Sequence, residues 1–143
     1  MPRAPGAPSA RRATCRRRST WWWTRWFPQP KPGFQTFAEG FHAADRGAPG
    51  APGALIRIAE DRAQGAIVRA SALQRLARYL GPATLQTVRN ALNDPDPMVR
   101  AAAVSALAGA DAATRAQLLA RMLGDPVRLV RMDAARALAG EAE

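Results

Sequence analysis

The sequence predicts an all-α fold: a short α-α superhelix of stacked helix pairs, preceded by a disordered basic leader. Three observations carry this. Apolar residues make up 48% of the 143-residue chain but only 6% are aromatic. Ala supplies most of the remainder, which favours closely packed helices over sheet. Asp-Pro turns separate the apolar stretches, and residues ahead of a proline are pushed out of the helical region. Finally, "AIVRASALQRLARYL" (66–80), "PMVRAAAVSALAG" (97–109) and "RLVRMDAARALAG" (128–140) superimpose at a constant offset of 31 residues. A period of this size built from helix pairs marks a solenoid, in which no unit buries its own apolar face.

Residues 1–33 hold Pro2, Pro5, Pro8, Pro28, Pro30 and Pro32 among Gly, Ser and Arg, a composition that predicts a disordered or extended leader. Over 34–46, Phe34, Phe37, Phe41 and Ala44 recur at spacings of three and four and predict a short amphipathic helix that stops at Gly47. "GAPGAPG" (47–53) reads as a linker. Residues 54–143 form the repeat region, with units at about 54–80, 83–109 and 114–140. The first unit is degenerate, its leading helix short (about 54–62) and its turn out of register by a residue or two. "NDPDP" (93–97) and "GDP" (124–126) end the first helices, about 83–92 and 114–123. Their aspartates are positioned to cap the second helices, about 97–109 and 127–139.

The equivalent positions define the structural residues. Val68, Val99 and Val130, then Ala72, Ala103 and Ala134, then Leu76, Leu107 and Leu138 form a stripe on successive second helices. The Ala in each lets the neighbouring helix approach closely. Arg69, Arg100 and Arg131 form a ladder. It either binds an acidic partner along one face or pairs with the turn acids Asp61, Asp94 or Asp96, and Asp125 to fix the stacking register. "GEAE" (140–143) supplies no polar capping helix, so an apolar edge open to a protein partner or to self-association is expected there.

The net charge of +10 suggests an acidic partner until its location is considered. Residues 1–38 carry eight basic side chains and no acid, whereas 39–143 carry thirteen basic and eleven acidic ones. A nucleic-acid function would therefore rest on the leader, where Trp21, Trp22, Trp23 and Trp26 lie beside arginines and can stack on bases. The bland reading of the same stretch is an arginine-rich tail. No apolar run approaches the roughly 20 residues of a membrane-spanning helix, so no transmembrane segment is expected. Cys15 is the only cysteine and His42 the only histidine, which leaves no intrachain disulfide and no Cys-rich zinc pattern. Cys15 reads as a free or buried thiol, and His42 as a partly buried residue beside Phe41. No paired carboxylates, phosphate-cradling glycine loop or His-containing triad can be assembled. The chain is read as non-enzymatic, without catalytic residues or a metal site.

"DPDPMVRAAAVSALAG" and "DPVRLVRMDAARALAG" resemble short-type HEAT repeats, armadillo-like helical units with an Asp-Pro turn, Val-Arg and an Ala-rich helix ending in Leu. The resemblance covers about 54–140 and implies helix pairs stacked into a superhelix that binds other macromolecules. A narrower resemblance concerns the order Trp26-Phe27, "FAEGFHAADRG" (37–47), a Gly/Pro/Ala loop and three repeats. This order is similar to the C-terminal end of bacterial multihaem c-type cytochromes that carry HEAT or tetratricopeptide repeats. It implies haem c and a periplasmic location in those relatives, and it makes His42 a distant axial-ligand candidate. The corresponding haem-attachment site here reads Arg12-Ala13-Thr14-Cys15-Arg16. With one thiol and no proximal histidine it would hold no haem, so no cofactor is expected. The function expected from these readings is protein–protein interaction or scaffolding by a remnant of a longer chain, with nucleic-acid binding and electron transfer as alternatives.

Overall fold

The computed structural model describes residues 36–140. The leader read over 1–33, with Cys15 and the four tryptophans, lies outside them. Seven α-helices follow in order among the described residues: α1 (Thr36–Asp45), α2 (Ala51–Glu60), α3 (Ala66–Leu76), α4 (Pro82–Ala91), α5 (Pro97–Ala106), α6 (Ala112–Leu119) and α7 (Arg128–Ala139). Single 3-10 turns extend α3 (Ala77–Tyr79) and α6 (Ala120–Gly124). No strand occurs among these residues.

Helices α2/α3, α4/α5 and α6/α7 form three pairs joined by short connections that fold each second helix back on its first. The second helices stack on one another, α3 on α5 and α5 on α7. Small residues make this possible. Ala72, Ala103 and Ala134 are each fully buried at the centre of the stack, so backbones approach without a large side chain between them. Leu76 and Leu107 close the base of the stripe and are likewise fully buried. Leu138, their equivalent in the last pair, is only partly buried because no further pair covers it among the described residues.

Helix boundaries differ from the sequence expectation in instructive ways. Ala51–Gly53, read as linker, forms the first turn of α2, with Pro52 inside it. A proline is tolerated there because first-turn amides have no helical acceptor. Helix α2 therefore reaches ten residues, the same length as α4 and α5. Helix α5 ends at Ala106, so Leu107 serves as its C-cap and residues 107–109 form the turn into α6.

Helix α1 packs against α2 and the C-terminal half of α3. Gly40 faces α2 so closely that a Cβ there would lie 2.6 Å from Ile58 Cδ1. The Arg75 guanidinium sits 4.4 Å from the centre of the Phe41 ring, and its Nε donates to Asp45 Oδ1 at 3.2 Å. Tyr79 donates its hydroxyl to the Ala44 carbonyl at 2.8 Å. The Arg75 and Tyr79 anchors lie at the C-terminal end of α3 and in its 3-10 extension. Its first turn stays uncovered, and Val68 is only partly buried where Val99 and Val130 are completely so. His42 points away from α2 and is exposed, correcting the expectation of a half-buried histidine. Phe37, Gly40, Phe41 and Ala44 take the packed side of this helix, and two residues' rotation from Gly40 carries His42 to solvent.

Removing the buried base of the stripe should destabilise by position. Leu107→Ala is expected to cost about 2–5 kcal/mol, and Leu138→Ala at the less covered end distinctly less. Urea unfolding of the two variants checks this.

Candidate functional site

The most regular feature of the molecule is the contact between successive pairs. Arg69, on the first turn of α3, forms a fork with both oxygens of the Asp94 carboxylate in the α4–α5 turn, and its Nε donates to the Ala59 carbonyl at 3.2 Å. One repeat later, Arg100 Nε donates to Asp125 Oδ2 at 2.7 Å and Nη2 donates to Asp125 Oδ1 at 3.0 Å. In both cases arginine and aspartate are 25 residues apart, joining the second helix of one pair to the turn of the next. The second contact of each arginine is to backbone: Arg100 Nη1 donates to the Asp94 and Pro95 carbonyls at 2.9 and 3.0 Å. One guanidinium thus clamps its own turn and the following turn together. Planar, forked donors suit this task in a way a lysine ammonium does not.

The acceptors are equally prepared. Asp94 Oδ1 accepts from the Asp96 amide at 3.0 Å, and Asp125 Oδ1 accepts from the Val127 amide at 2.8 Å. Both aspartates are buried, so an unpaired charge here would be costly. At Asp125 the hydrogen bonds from Arg100 are the largest influence; they hold the carboxyl below its ordinary range against the opposing effect of burial. At Asp94 burial is the largest single influence and pushes upward. The Arg69 and Asp96 hydrogen bonds and the charges of Arg69 and Arg62 together outweigh it, and the result is again a lowered value. Arg100 is correspondingly held above its usual value, first by its hydrogen bond to Asp125.

Of the sequence-derived acids, only Asp94 and Asp125 join the ladder. Asp96 caps α5, accepting from the Met98 amide at 2.8 Å. Asp61 stays exposed and accepts from the Ala63 amide at 2.9 Å and from Gln64 Nε2 at 3.1 Å. It makes the same local turn bond as Asp94 and Asp125, without an arginine. Arg131 lies at the other end: its Nη1 donates to the Asp125 and Pro126 carbonyls at 2.7 and 3.1 Å, and no carboxylate reaches it among the described residues. Cys15 lies outside those residues.

A surface feature escaped the sequence reading. Ile67, Met98 and Leu129 also stand at the 31-residue offset, each one residue before the repeat's Val position, and they are 63%, 46% and 56% exposed. Two turns further along the same helix faces, Gln74, Ser105 and Arg136 are exposed and polar. The second helices thus present a row of apolar side chains, one per repeat, beside a polar row. The signal was in the sequence, since the residue preceding each Val is itself large and apolar; its exposure was not. Elsewhere a cleft of about 460 Å³ between α1 and α2, lined by Glu39, Arg57, Ile58 and Asp61 among others, mixes both charges around a small apolar floor.

Stacked helix pairs locked by an arginine–aspartate ladder define an α-solenoid, a fold whose surfaces serve contact with other molecules. The chain belongs to the HEAT-repeat family: the family model described as HEAT repeats matches residues 52–139. No curated protein and no solved structure matches it.

Breaking the second rung should uncouple the last pair. Asp125→Ala is expected to destabilise by about 2–4 kcal/mol, because the half-buried Arg100 is left without its counter-charge. Replacing both partners by apolar residues of similar volume should cost less, a comparison that chemical denaturation reads directly. The pH dependence follows from the lowered carboxyl values. Stability from Asp94 and Asp125 is fully present above their unfolded value of 3.8 and is lost as pH falls from there through the lower folded values. Urea midpoints should therefore hold down to about pH 5 and drop below about pH 4, with a shallower drop in Asp125→Asn.

Proposed function

We propose that this chain is a non-enzymatic protein-interaction module that binds an amphipathic helix of a partner across its second helices. HEAT repeats generally mediate protein–protein interaction. The observation that supports the particular surface is the exposed row Ile67, Met98 and Leu129. Stacked helices stand about 8–10 Å apart, close to the rise of seven residues of α-helix at about 1.5 Å each. A partner helix with an apolar residue every seventh position would meet all three. Burying each such side chain is worth about 1.5–3 kcal/mol, and the polar row beside it supplies the rim.

The last helix pair among the described residues carries a second surface of the same reading. Leu123 and Met132 are exposed there, next to Arg131. A nucleic-acid function is favoured by one observation, the eight basic residues within 1–38, and has a distinct mark: salt-dependent binding of single-stranded DNA that disappears on deleting residues 1–31. Descent from the C-terminal region of a multihaem cytochrome is supported by the order of Cys15, Trp26-Phe27 and the repeats, and a haemochrome spectrum after c-type maturation is its test.

The combined variant Ile67→Ser, Met98→Ser and Leu129→Ser should keep the stability of the parent within about 0.5 kcal/mol per site, because these side chains are already exposed. Crosslinking in cells should lose the partners that the parent chain captures. Capture of the same partners by the variant would remove the row from the contact surface.

A further inference from the structure

We propose that Met98 is a modification site that governs the apolar row: oxidation of its thioether by a peroxide closes the row to a partner helix, and reduction reopens it. The inference rests on the protein-binding reading above and names the regulation of that surface. Met98 stands in the middle of the row, 31 residues from Ile67 on one side and from Leu129 on the other. A helix that reaches both outer residues passes over it. Ile67 and Leu129 carry hydrocarbon side chains, so the one sulfur of the row, and its oxidisable atom, belongs to Met98.

This side chain is open to the oxidant and dispensable to the fold. It is 46% exposed, whereas Met122, inside the core, is 8% exposed. Met98 is the second residue of α5, its amide donates to Asp96 Oδ1 at 2.8 Å, and the next residue, Val99, makes the buried contact. The start of the helix is therefore fixed by backbone and by Val99, and an oxygen added to the Met98 sulfur displaces no core group. Oxidation of a buried methionine disrupts packing; oxidation here changes only what the surface offers.

The chemistry is an oxygen-atom transfer. The sulfur lone pair attacks one oxygen of hydrogen peroxide, the O–O bond breaks and an S–O bond forms. The sulfur loses two electrons to become the sulfoxide; the second oxygen takes the proton of the transferred one and leaves as water. A partner helix covering the sulfoxide oxygen would strip its water without replacing the hydrogen bond. Reduction consumes two thiols, which join as a disulfide while the sulfoxide oxygen leaves as water.

A labelled designed amphipathic helix with leucine at every seventh position is titrated into the full chain before and after hydrogen peroxide. Peptide mass mapping should place one oxygen on Met98 and one on Met132, itself 41% exposed, and none on Met122. Binding should weaken by about fivefold or more on oxidation and recover after methionine sulfoxide reductase with dithiothreitol. Met98→Leu should bind the helix equally before and after peroxide, because leucine fills a similar volume without sulfur. Met132→Leu should lose binding on oxidation as the parent does. Met98 left unoxidised while Met132 is oxidised, undiminished binding by the oxidised chain, or peroxide-sensitive binding in Met98→Leu each overturns the proposal. A parent chain that fails to bind the helix before oxidation contradicts the reading of the row itself, and this inference falls with it; the other three failures leave that reading standing.

Discussion

The arginine–aspartate clamp between successive helix pairs is the contact on which the rest of the arrangement depends. A repeat of this size cannot bury its own apolar face, so its stability comes from its neighbour. Apolar packing alone fixes that neighbour loosely, because small Ala side chains offer few features to set one register against another. The guanidinium of Arg69 or Arg100 supplies the missing direction, gripping the carboxylate of the following turn. At Arg100 the same side chain also grips the carbonyls of its own turn. Those aspartates in turn hold the amides that open the second helices. One pair of side chains thereby shapes the turn, orients the next helix and positions the next unit.

Close packing and the clamp reinforce each other. Ala72, Ala103 and Ala134 bring the second helices near enough for a side chain of arginine length to span from helix to turn. The buried carboxylates tolerate this environment because every rung supplies a counter-charge and backbone donors. Other polar contacts secure the periphery. Thr87 donates to Glu60 Oε1 at 2.7 Å between α4 and α2, and Arg115 donates to the Ala108 carbonyl at 3.3 Å, holding the α5–α6 turn. The surface consequence is a regular one. Whatever the repeat leaves outward on the second helices, it leaves outward at every unit, which is how Ile67, Met98 and Leu129 come to form a row.

Much of this was legible in the sequence because a repeat is read three times. The offset that aligns Val99 with Val130 also aligned the arginines and the leucines, and it marked the Asp-Pro turns. The choice among acids was less legible. Asp94 and Asp96 both flank the turn, and only the fold shows that the first enters the rung while the second caps α5. Asp61 carries the turn chemistry without an arginine ahead of it; Ala38 stands where the 31-residue offset from Arg69 falls. The linker boundary at Ala51 was hidden because Gly and Pro suppress helix in general, whereas Pro in a first turn does not. The placement of His42 depended on which side of α1 meets α2, and that is decided by the approach of Gly40 to Ile58 rather than by the aromatic next to the histidine.

The central claim is that units are coupled chiefly through these rungs, and that among the described residues the last pair is held by one rung where the middle pair is held by two. Native-state hydrogen exchange of the full chain tests it most directly. The account predicts that amides of α7 open at lower free energy than those of α5, and that Asp125→Asn lowers protection in α7 while leaving α3 close to its parent value. Equal protection of α5 and α7, or a uniform loss across all helices in Asp125→Asn, would contradict it.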